Sequence, residues 1–162
     1  MISIVITSFN EPRTIRKAID SFLNQEIKEK YELIIAAPDK PTGEIVEEYK
    51  KENKQIMLFK DPGKGKSYAL NLLLPKLKGE IILLTDGDVY VSENSVNEIL
   101  KYFKDEKVGC VTGRPVPQNP RGDIFGYWSN LLCDAGAHEA RLKRAKKDYF
   151  LVVLVAILSG LL

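Results

Sequence analysis

The sequence predicts an α/β fold with a mostly parallel sheet and helices on both faces. Short apolar runs alternate with segments in which apolar residues recur every three or four positions, which are the periods of buried strands and amphipathic helices. The resulting order, βαβαβαβαβ, is typical of a parallel sheet because each crossover between parallel strands needs a connecting helix. A hydrophobic fraction of 44% over 162 residues predicts one domain with its own core.

Five strands and four helices are predicted between residues 2 and 112. The strands cover residues 2–7, 32–37, 55–59, 81–85 and 108–112. The helices cover residues 12–23, 42–52, 67–77 and 92–103. Pro12 suits the first turn of its helix, whereas Thr42 and Ser92 are predicted to cap theirs with hydroxyl oxygens.

The C-terminal part begins with a proline-rich connector and continues as a predicted long helix over residues 121–147. Phe125, Tyr127 and Trp128 on this helix are interpreted either as core or as a platform for an acceptor. His138, the only histidine, is either a surface or structural residue or a metal ligand. Residues 149–162 are almost all apolar but too few to span a membrane. They predict a buried strand, with a truncated membrane anchor as the alternative.

Composition narrows the function classes. The net charge of +2 gives no indication of a nucleic-acid partner, and only residues 141–147 form a basic cluster. The two cysteines, Cys110 and Cys133, have neither metal-ligand nor disulfide spacing, which indicates a reducing compartment. Met1 leads directly into a strand, so no signal peptide is predicted. The expected location is the cytoplasm, or the cytoplasmic face of a membrane contacted through residues 149–162.

Two carboxylates end the fourth predicted strand, in the sequence Asp86-Gly87-Asp88. Both side chains can turn toward one point, and Gly87 leaves room for a ligand beside them. A divalent cation that bridges to a diphosphate needs one or two carboxylate oxygens, with phosphate and water at its other positions. An acidic turn explains the same residues without any ligand.

Polar loops also follow the other predicted strands. They contain residues 7–11, Asp39 and the glycine-rich segment 61–66. Ligands of open α/β sheets bind outside the carboxyl ends of the strands, so hydroxyls, an amide, lysines and carboxylates are expected at one edge. This combination fits a nucleotide diphosphate with a cation.

Three segments resemble family 2 glycosyltransferases, which have the Rossmann-like GT-A fold. The segments are residues 4–11, residues 64–71 and the Asp86-Gly87-Asp88 strand end, and the resemblance covers residues 2–118. It implies a UDP- or GDP-sugar donor, a divalent cation (Mn²⁺ or Mg²⁺), and metal-dependent transfer of a hexose with inversion. The acceptor would be a glycan, a lipid or another hydroxyl compound.

The resemblance also implies a set of site residues. The nucleotide-sugar-binding residues would be Thr7, Asn10, Glu11, Asp39, Lys64, Lys66, Asn71 and Asp86, and the metal ligands Asp86 and Asp88. Thr7, Asn10 and Glu11 would approach the base and ribose. Asp86 would contact the ribose or diphosphate as the first carboxylate of the family's Asp-x-Asp motif. Asp39 stands one or two positions later than the acidic residues that the family places after its second strand.

The resemblance leaves the catalytic base unassigned. An inverting transfer needs a base to take the acceptor's proton, and the family's acidic motif for this role lies beyond residue 150. We therefore expect a C-terminally shortened member with one GT-A domain over residues 1–162, in which residues 149–162 belong to an incomplete acceptor and catalytic region. A non-catalytic nucleotide-sugar-binding remnant is the alternative function.

Two further interpretations compete with the family. A P-loop NTPase is suggested by Gly65-Lys66-Ser67, but Lys60 stands where that pattern requires its first glycine. A purely structural α/β domain with acidic turns would bind no nucleotide in a metal-dependent way.

Overall fold

The computed structural model of the chain describes residues 1–145 and 155–158. The described residues fall into two units, residues 1–111 with 155–158, and residues 112–145. The strands are β1 Ile2–Thr7, β2 Tyr31–Ala36, β3 Ile56–Phe59, β4 Ile81–Asp86, β5 Cys110–Thr112 and β6 Val155–Leu158. The helices are α1 Ile15–Leu23, α2 Lys40–Glu52, α3 Lys66–Leu73, α4 Ser95–Tyr102, α5 Ile124–Leu131 and α6 Glu139–Ala145. A 3₁₀ turn, Leu74–Lys76, follows α3, and a π-helical segment, Leu132–His138, joins α5 to α6.

The sheet has the strand order β3-β2-β1-β4-β6-β5. Strand β1 pairs in parallel with both β2 and β4, and β2 pairs in parallel with β3. Strand β6 pairs antiparallel with β4. The predicted mostly parallel sheet is confirmed. Each of the strands β1 to β4 begins and ends within one residue of its predicted bounds.

Helices cover both faces of this sheet because alternate residues of the buried strands point to opposite sides. On one face, Ile2, Ile4 and Ile6 of β1 belong to a core that also contains Phe22 of α1, Val46 of α2 and Val96 of α4. On the other face, Val5 of β1 and Ile82 of β4 pack with Leu73 of α3. The sheet is therefore the middle layer, and its carboxyl edge stays open for polar loops.

Two predicted helix caps are wrong. Asp39, not Thr42, caps α2: its carboxylate accepts a hydrogen bond from the Thr42 N–H at 2.9 Å. Ser92 does not cap α4, which begins after Asn94 in a left-handed conformation with φ 59°. Helix α1 begins at Ile15, one turn after Pro12. Of these three helices, only α2 has a side-chain cap, since neither Thr14 before α1 nor Asn94 before α4 makes a capping hydrogen bond with its side chain.

The second unit contains most of the predicted long helix. This helix begins after Asp123, whose carboxylate accepts a hydrogen bond from the Gly126 N–H at 2.6 Å. It extends through α5, the π-helical segment and α6 to Ala145. Residues 146–147 lie outside the described residues, as does most of the segment 149–162, of which residues 155–158 form β6. Across the described residues, no helix is both long and apolar enough to cross a membrane.

The interpretation of the aromatic residues as core is wrong. Phe125 is 84% exposed, Tyr127 56% and Trp128 55%. Apolar periodicity identified a helix with an apolar face, but that face points to solvent.

Candidate functional site

A cleft of about 460 Å³ opens at the carboxyl edge of the sheet, within the first unit. Its walls come from the loop after β1, the end of β2, the glycine-rich loop before α3, and the end of β4. The lining residues are Thr7, Ser8, Phe9, Glu11, Ala36, Pro38, Asp61, Gly63, Gly65, Lys66, Ala69, Asp86 and Asp88. Most are polar or small, so the cleft offers hydroxyls, carboxylates and an ammonium group to a ligand.

Asp86 lies where three of these segments meet. It is the last residue of β4 and is the register partner of Thr7 at the end of β1. The Thr7 hydroxyl donates to Oδ1 of Asp86 at 2.7 Å, and the Lys66 ammonium forms an ion pair with the same oxygen. The two contacts orient the carboxylate from opposite elements, β1 and α3, and bring a positive and a negative group together in the cleft.

Asp88 follows in a turn that is fixed by backbone hydrogen bonds. The Gly87 N–H donates to the Thr7 carbonyl at 2.9 Å, and the Val89 N–H donates to the Asp86 carbonyl at 3.1 Å. The side chain of Asp88 is exposed and lines the cleft. It has no hydrogen-bond or ion-pair partner within residues 1–145 and 155–158, so both of its oxygens are available to a ligand.

Gly87 is required by its protein neighbours. A Cβ at this position would lie 2.5 Å from Oε2 of Glu11 and 2.6 Å from Oγ of Ser8. The Ser8 hydroxyl also donates to Oε2 of Glu11 at 2.8 Å. The missing side chain therefore lets the acidic turn pack on the β1 loop, whereas the sequence suggested that it leaves room for a ligand.

The β1 loop is held by α2. Asn10 adopts a left-handed conformation, φ 56°, and its N–H donates to Oδ2 of Asp39 at 2.8 Å. The Glu11 N–H donates to the Thr42 hydroxyl at 3.3 Å. Partial burial alone would raise the pKa of Asp39, but the hydrogen bonds from Asn10 and Thr42 outweigh it and lower that pKa below 3.8. Asp39 thus stays ionised and ties the start of α2 to the cleft loop.

The glycine-rich loop forms the opposite wall. Gly63 and Gly65 have φ values of 69° and 96°, a region that side chains rarely adopt. The Gly63 N–H donates to Oδ1 of Asp61 at 2.7 Å, which closes a tight turn. Gly65 then precedes Lys66, the first residue of α3, so this turn directs the ammonium group toward Asp86.

Five of the predicted site residues meet in the cleft: Thr7, Glu11, Lys66, Asp86 and Asp88. The other four do not line it. Asn10 and Asp39 contact each other beside it, the Lys64 ammonium lies over the Tyr68 ring at 5.3 Å, and Asn71 is an exposed residue of α3.

Sequence reasoning missed three polar or aromatic residues that line the cleft. Ser8 and Asp61 stand in loops that follow predicted strands, but the sequence predicts no ligand contact for either of them. Phe9 is 71% exposed, and an aromatic residue inside a polar loop is the signal that could have identified it.

The donor set for a metal is small. Within residues 1–145 and 155–158, no group of three His, Cys, Asp or Glu side chains is placed to hold an ion, and His138 belongs to none. Asp86 and Asp88 could supply two carboxylates. A cation held there would take its remaining ligands from water or from a bound molecule, as Mg²⁺ commonly does with phosphates.

Comparison with known proteins gives a family. Residues 3–154 match the family described as Glycosyl transferase family 2. The chain is 32% identical over 149 residues to a beta-monoglucosyldiacylglycerol synthase from Nostoc sp., covering 86% of this chain and 32% of that protein. It is 29% identical over 127 residues to a poly-beta-1,6-N-acetyl-D-glucosamine synthase from Staphylococcus epidermidis, covering 77% and 31%. The chain thus spans about a third of the length of these curated relatives.

Solved structures share the fold. A mannosyltransferase from Pyrobaculum calidifontis in complex with GDP-Man and Mn²⁺ superposes with a TM-score of 0.71 at 21% identity, covering 96% of this chain and 44% of that one. TarS from S. aureus in complex with UDP-GlcNAc superposes with a TM-score of 0.58 at 20% identity, covering 75% and 38%. These similarities establish the GT-A architecture of the chain.

Proposed function

The chain belongs to glycosyl transferase family 2, and we propose that it binds a nucleotide-diphosphate sugar in the cleft and transfers the sugar to a hydroxyl acceptor. The observation that carries this proposal is the convergence of Lys66, Asp86 and Asp88 on one cleft. These three residues suit a diphosphate that binds together with a cation, because an ammonium group offsets phosphate charge and carboxylates coordinate the metal. The cleft volume also falls in the range of about 300–1,000 Å³ that is typical of small-molecule sites.

The proposed cofactor is Mn²⁺ or Mg²⁺. Asp88, exposed and without a protein partner among the described residues, would be its main ligand. Asp86 would contribute through Oδ2, because Oδ1 already accepts from Thr7 and Lys66. The cation would act as a Lewis acid on the departing diphosphate. The Mn²⁺ and GDP-Man in the structurally similar mannosyltransferase support this assignment.

The nucleoside end of the donor would lie toward the β1 loop. Thr7 and Glu11 supply polar groups there, and the exposed ring of Phe9 offers a surface on which a base can stack. Asn10 and Asp39 would act mainly by fixing this loop. Lys64 and Asn71 remain proposed contacts to the nucleotide sugar. Neither lines the cleft, so the glycine-rich loop or α3 would have to move to bring them to the ligand. Both UDP- and GDP-sugars are candidates, because the similar structures contain one of each.

The acceptor is proposed to be a glycan, a lipid or another hydroxyl compound. Relatives named for a polysaccharide and for a diacylglycerol product support both of the first two. We propose inversion at the anomeric carbon, and we assign the catalytic base to none of the described residues.

One domain over residues 1–162 and a cytoplasmic location remain proposals. The free thiols of Cys110 and Cys133 are compatible with a reducing compartment.

A non-catalytic nucleotide-sugar-binding remnant is the second candidate function. The observation that favours it is that residues proposed for the donor and the metal, Lys66, Asp86 and Asp88, line the cleft, while none of the described residues is assigned as the base. Such a remnant would bind UDP or GDP with Mn²⁺ but transfer no sugar.

Two assays separate these functions. Calorimetric titration of UDP and GDP, with and without Mn²⁺, should detect metal-dependent binding of one nucleotide. Incubation with the matching nucleotide sugar should then release the nucleotide if the chain is an enzyme. Binding without release supports the remnant, and absence of binding to folded protein at millimolar nucleotide rejects both functions.

A further inference from the structure

Asp61 is a carboxylate of the cleft that has no role in the proposed metal site. It follows β3 and lines the cleft together with Asp86 and Asp88. The Gly63 N–H donates to Oδ1 of Asp61 at 2.7 Å, and this contact fixes the direction of the side chain. Oδ2 accepts no hydrogen bond from the residues that the structure describes, and Oδ1 keeps a second lone pair. Both oxygens of Asp61 can therefore accept from a ligand.

Asp61 and the acidic turn stand at opposite ends of the cleft. Strand β3 forms one edge of the sheet, and β2 and β1 lie between it and β4. At about 4.8 Å between neighbouring strands, β3 and β4 are about 14 Å apart. The acidic turn with Asp86 and Asp88 follows β4. The turn at Asp61 stays near β2, since a Cβ on Gly63 would lie 3.5 Å from Cβ of Pro38.

Asp39, the carboxylate that follows β2, already has backbone partners on both oxygens. Its Oδ1 accepts from the Thr42 N–H at 2.9 Å, and its Oδ2 accepts from the Asn10 N–H at 2.8 Å. It does not line the cleft. Asp39 would have to give up one of these bonds to contact a ligand with the same strength, whereas Asp61 would give up none. Asp61 is therefore the carboxylate better placed to bind a ligand at this end of the cleft.

The two ends of the cleft suit the two ends of a nucleotide. A nucleoside diphosphate carries its phosphates at one end and its base at the other, with the ribose between them. With the diphosphate and its cation at Asp86 and Asp88, the base extends from the β4 side toward Asp61. Strand β1, whose loop carries the exposed ring of Phe9, lies between these ends. The opposite orientation would bring the phosphates to Asp61, and like charges oppose that contact.

We propose that Asp61 recognises the base of the donor and selects guanine, so that the donor is a GDP-sugar and not a UDP-sugar. This inference rests on the proposed binding of a nucleotide-diphosphate sugar in the cleft. Guanine presents two adjacent hydrogen-bond donors on its Watson–Crick edge, N1–H and the N2 amino group. The two oxygens of one carboxylate accept both of them side by side. Paired hydrogen bonds to a charged group of this kind are strong and specific.

The other common bases do not offer this pair of donors. Uracil has one donor, N3–H, between two carbonyl oxygens, so the second carboxylate oxygen would meet another acceptor. Adenine and cytosine each have an amino group, but the ring nitrogen beside it is an acceptor without a hydrogen. A carboxylate is an acceptor only, and an acceptor opposite an acceptor leaves both without a partner. Guanine is therefore the base that satisfies both oxygens of Asp61.

Calorimetric titration of the full chain with GDP, IDP and UDP, each with Mn²⁺, tests this selection. IDP is GDP without the N2 amino group. We expect GDP to bind at least about tenfold more tightly than either IDP or UDP, because each of these lacks a hydrogen bond to a charged group. Equal affinity for GDP and UDP would overturn the selection of guanine but leave the proposed function standing. Binding of none of the three to folded protein would reject the proposed function and this inference with it.

Asp61→Asn assigns the selection to this side chain. The asparagine carbonyl still accepts from the Gly63 N–H, but the amide nitrogen opposes the guanine amino group. GDP should bind at least about tenfold more weakly than to the wild type. XDP, which has a carbonyl in place of that amino group, should bind more tightly than it binds the wild type. Equal losses of GDP and UDP affinity would place Asp61 at the ribose and contradict the proposal.

Asp105→Asn is the matched control for this variant. Asp105 is exposed and does not line the cleft. Its Oδ1 accepts from the Lys107 N–H at 3.0 Å, two positions later, as Asp61 does from Gly63. The control should bind GDP, UDP and XDP as the wild type does. The same change of preference in both variants would contradict recognition of the base by Asp61.

Discussion

The Thr7 hydroxyl donates to Oδ1 of Asp86 at 2.7 Å, across the register pair that ends β1 and β4. The contact joins the central strand of the sheet to the first carboxylate of the acidic turn. Because Lys66 pairs with the same oxygen, the carboxylate is held from two sides. Oδ2 has no partner within the described part of the chain and is the oxygen left for a ligand.

Thr7→Val should weaken nucleotide binding while the protein stays folded. Valine suits a strand position, but it removes the donor that orients Asp86. A lost hydrogen bond of about 1 kcal/mol corresponds to about a fivefold rise in the Kd for the nucleotide with Mn²⁺. Calorimetry measures this change, and an unaltered Kd would show that the contact does not prepare the site.

Thr85→Val should stabilise the protein. The Thr85 side chain is 2% exposed, and its hydroxyl has no hydrogen-bond partner among the described residues. Replacing an unpaired buried hydroxyl with a methyl group removes its desolvation cost, so the free energy of unfolding should rise by about 1 kcal/mol. Urea unfolding measures this directly, and a clear loss of stability would mean that the hydroxyl has a partner. This variant also serves as a neighbouring control for Thr7→Val.

Gly87→Ala should destabilise the first unit and disturb the cleft. The new methyl group would meet Glu11 and Ser8 at distances below 3 Å, and such overpacking costs about 1–3 kcal/mol. Gly136→Ala is the control, since a Cβ there meets nothing within 4 Å and alanine favours helix. Thermal unfolding of the two variants should therefore shift in opposite directions; a neutral Gly87→Ala would contradict the described packing.

Stability should fall in acid partly because of Asp39. Its pKa is lower in the folded chain than the ordinary 3.8, so the unfolded state binds more protons between these two values. The stabilisation that the ionised Asp39 carboxylate gives to the folded state is complete above pH 3.8, and it is lost as the pH falls through the pKa of Asp39 in the folded chain. Asp39→Asn should cost about 1 kcal/mol at pH 7 and less at pH 3. Urea unfolding at both pH values tests this, and an equal cost at both would exclude the carboxylate charge as the cause.

The strands of the sheet could be predicted because each one is marked by neighbouring residues in the sequence. The apolar run before Asp86 is too short for a helix and is followed by an acidic turn, which identifies both β4 and the edge where ligands would bind. Parallel pairing then brings Thr7 to Asp86 without any knowledge of the distance. Five predicted residues consequently meet in the cleft.

Tertiary contacts decided what the sequence could not. Asp39 and Thr42 are both good capping residues, and the choice depends on Asn10 and Glu11, which lie about thirty positions earlier. The periodicity of residues 124–132 predicts an apolar face, but only the packing of Gly126 and Asn130 determines that it points outward. Phe9 lines the cleft because of the loop conformation that follows β1.

Calorimetric binding of UDP and GDP with Mn²⁺ to the wild type, Asp88→Ala and Asp105→Ala tests the central claim most directly. Asp105 is an exposed aspartate that does not line the cleft, so Asp105→Ala controls for the loss of one surface carboxylate. We expect one nucleotide to bind the wild type and Asp105→Ala in a Mn²⁺-dependent way, and binding to Asp88→Ala to be lost. Equal Mn²⁺-dependent affinity of Asp88→Ala and the wild type would contradict the proposed metal and donor site.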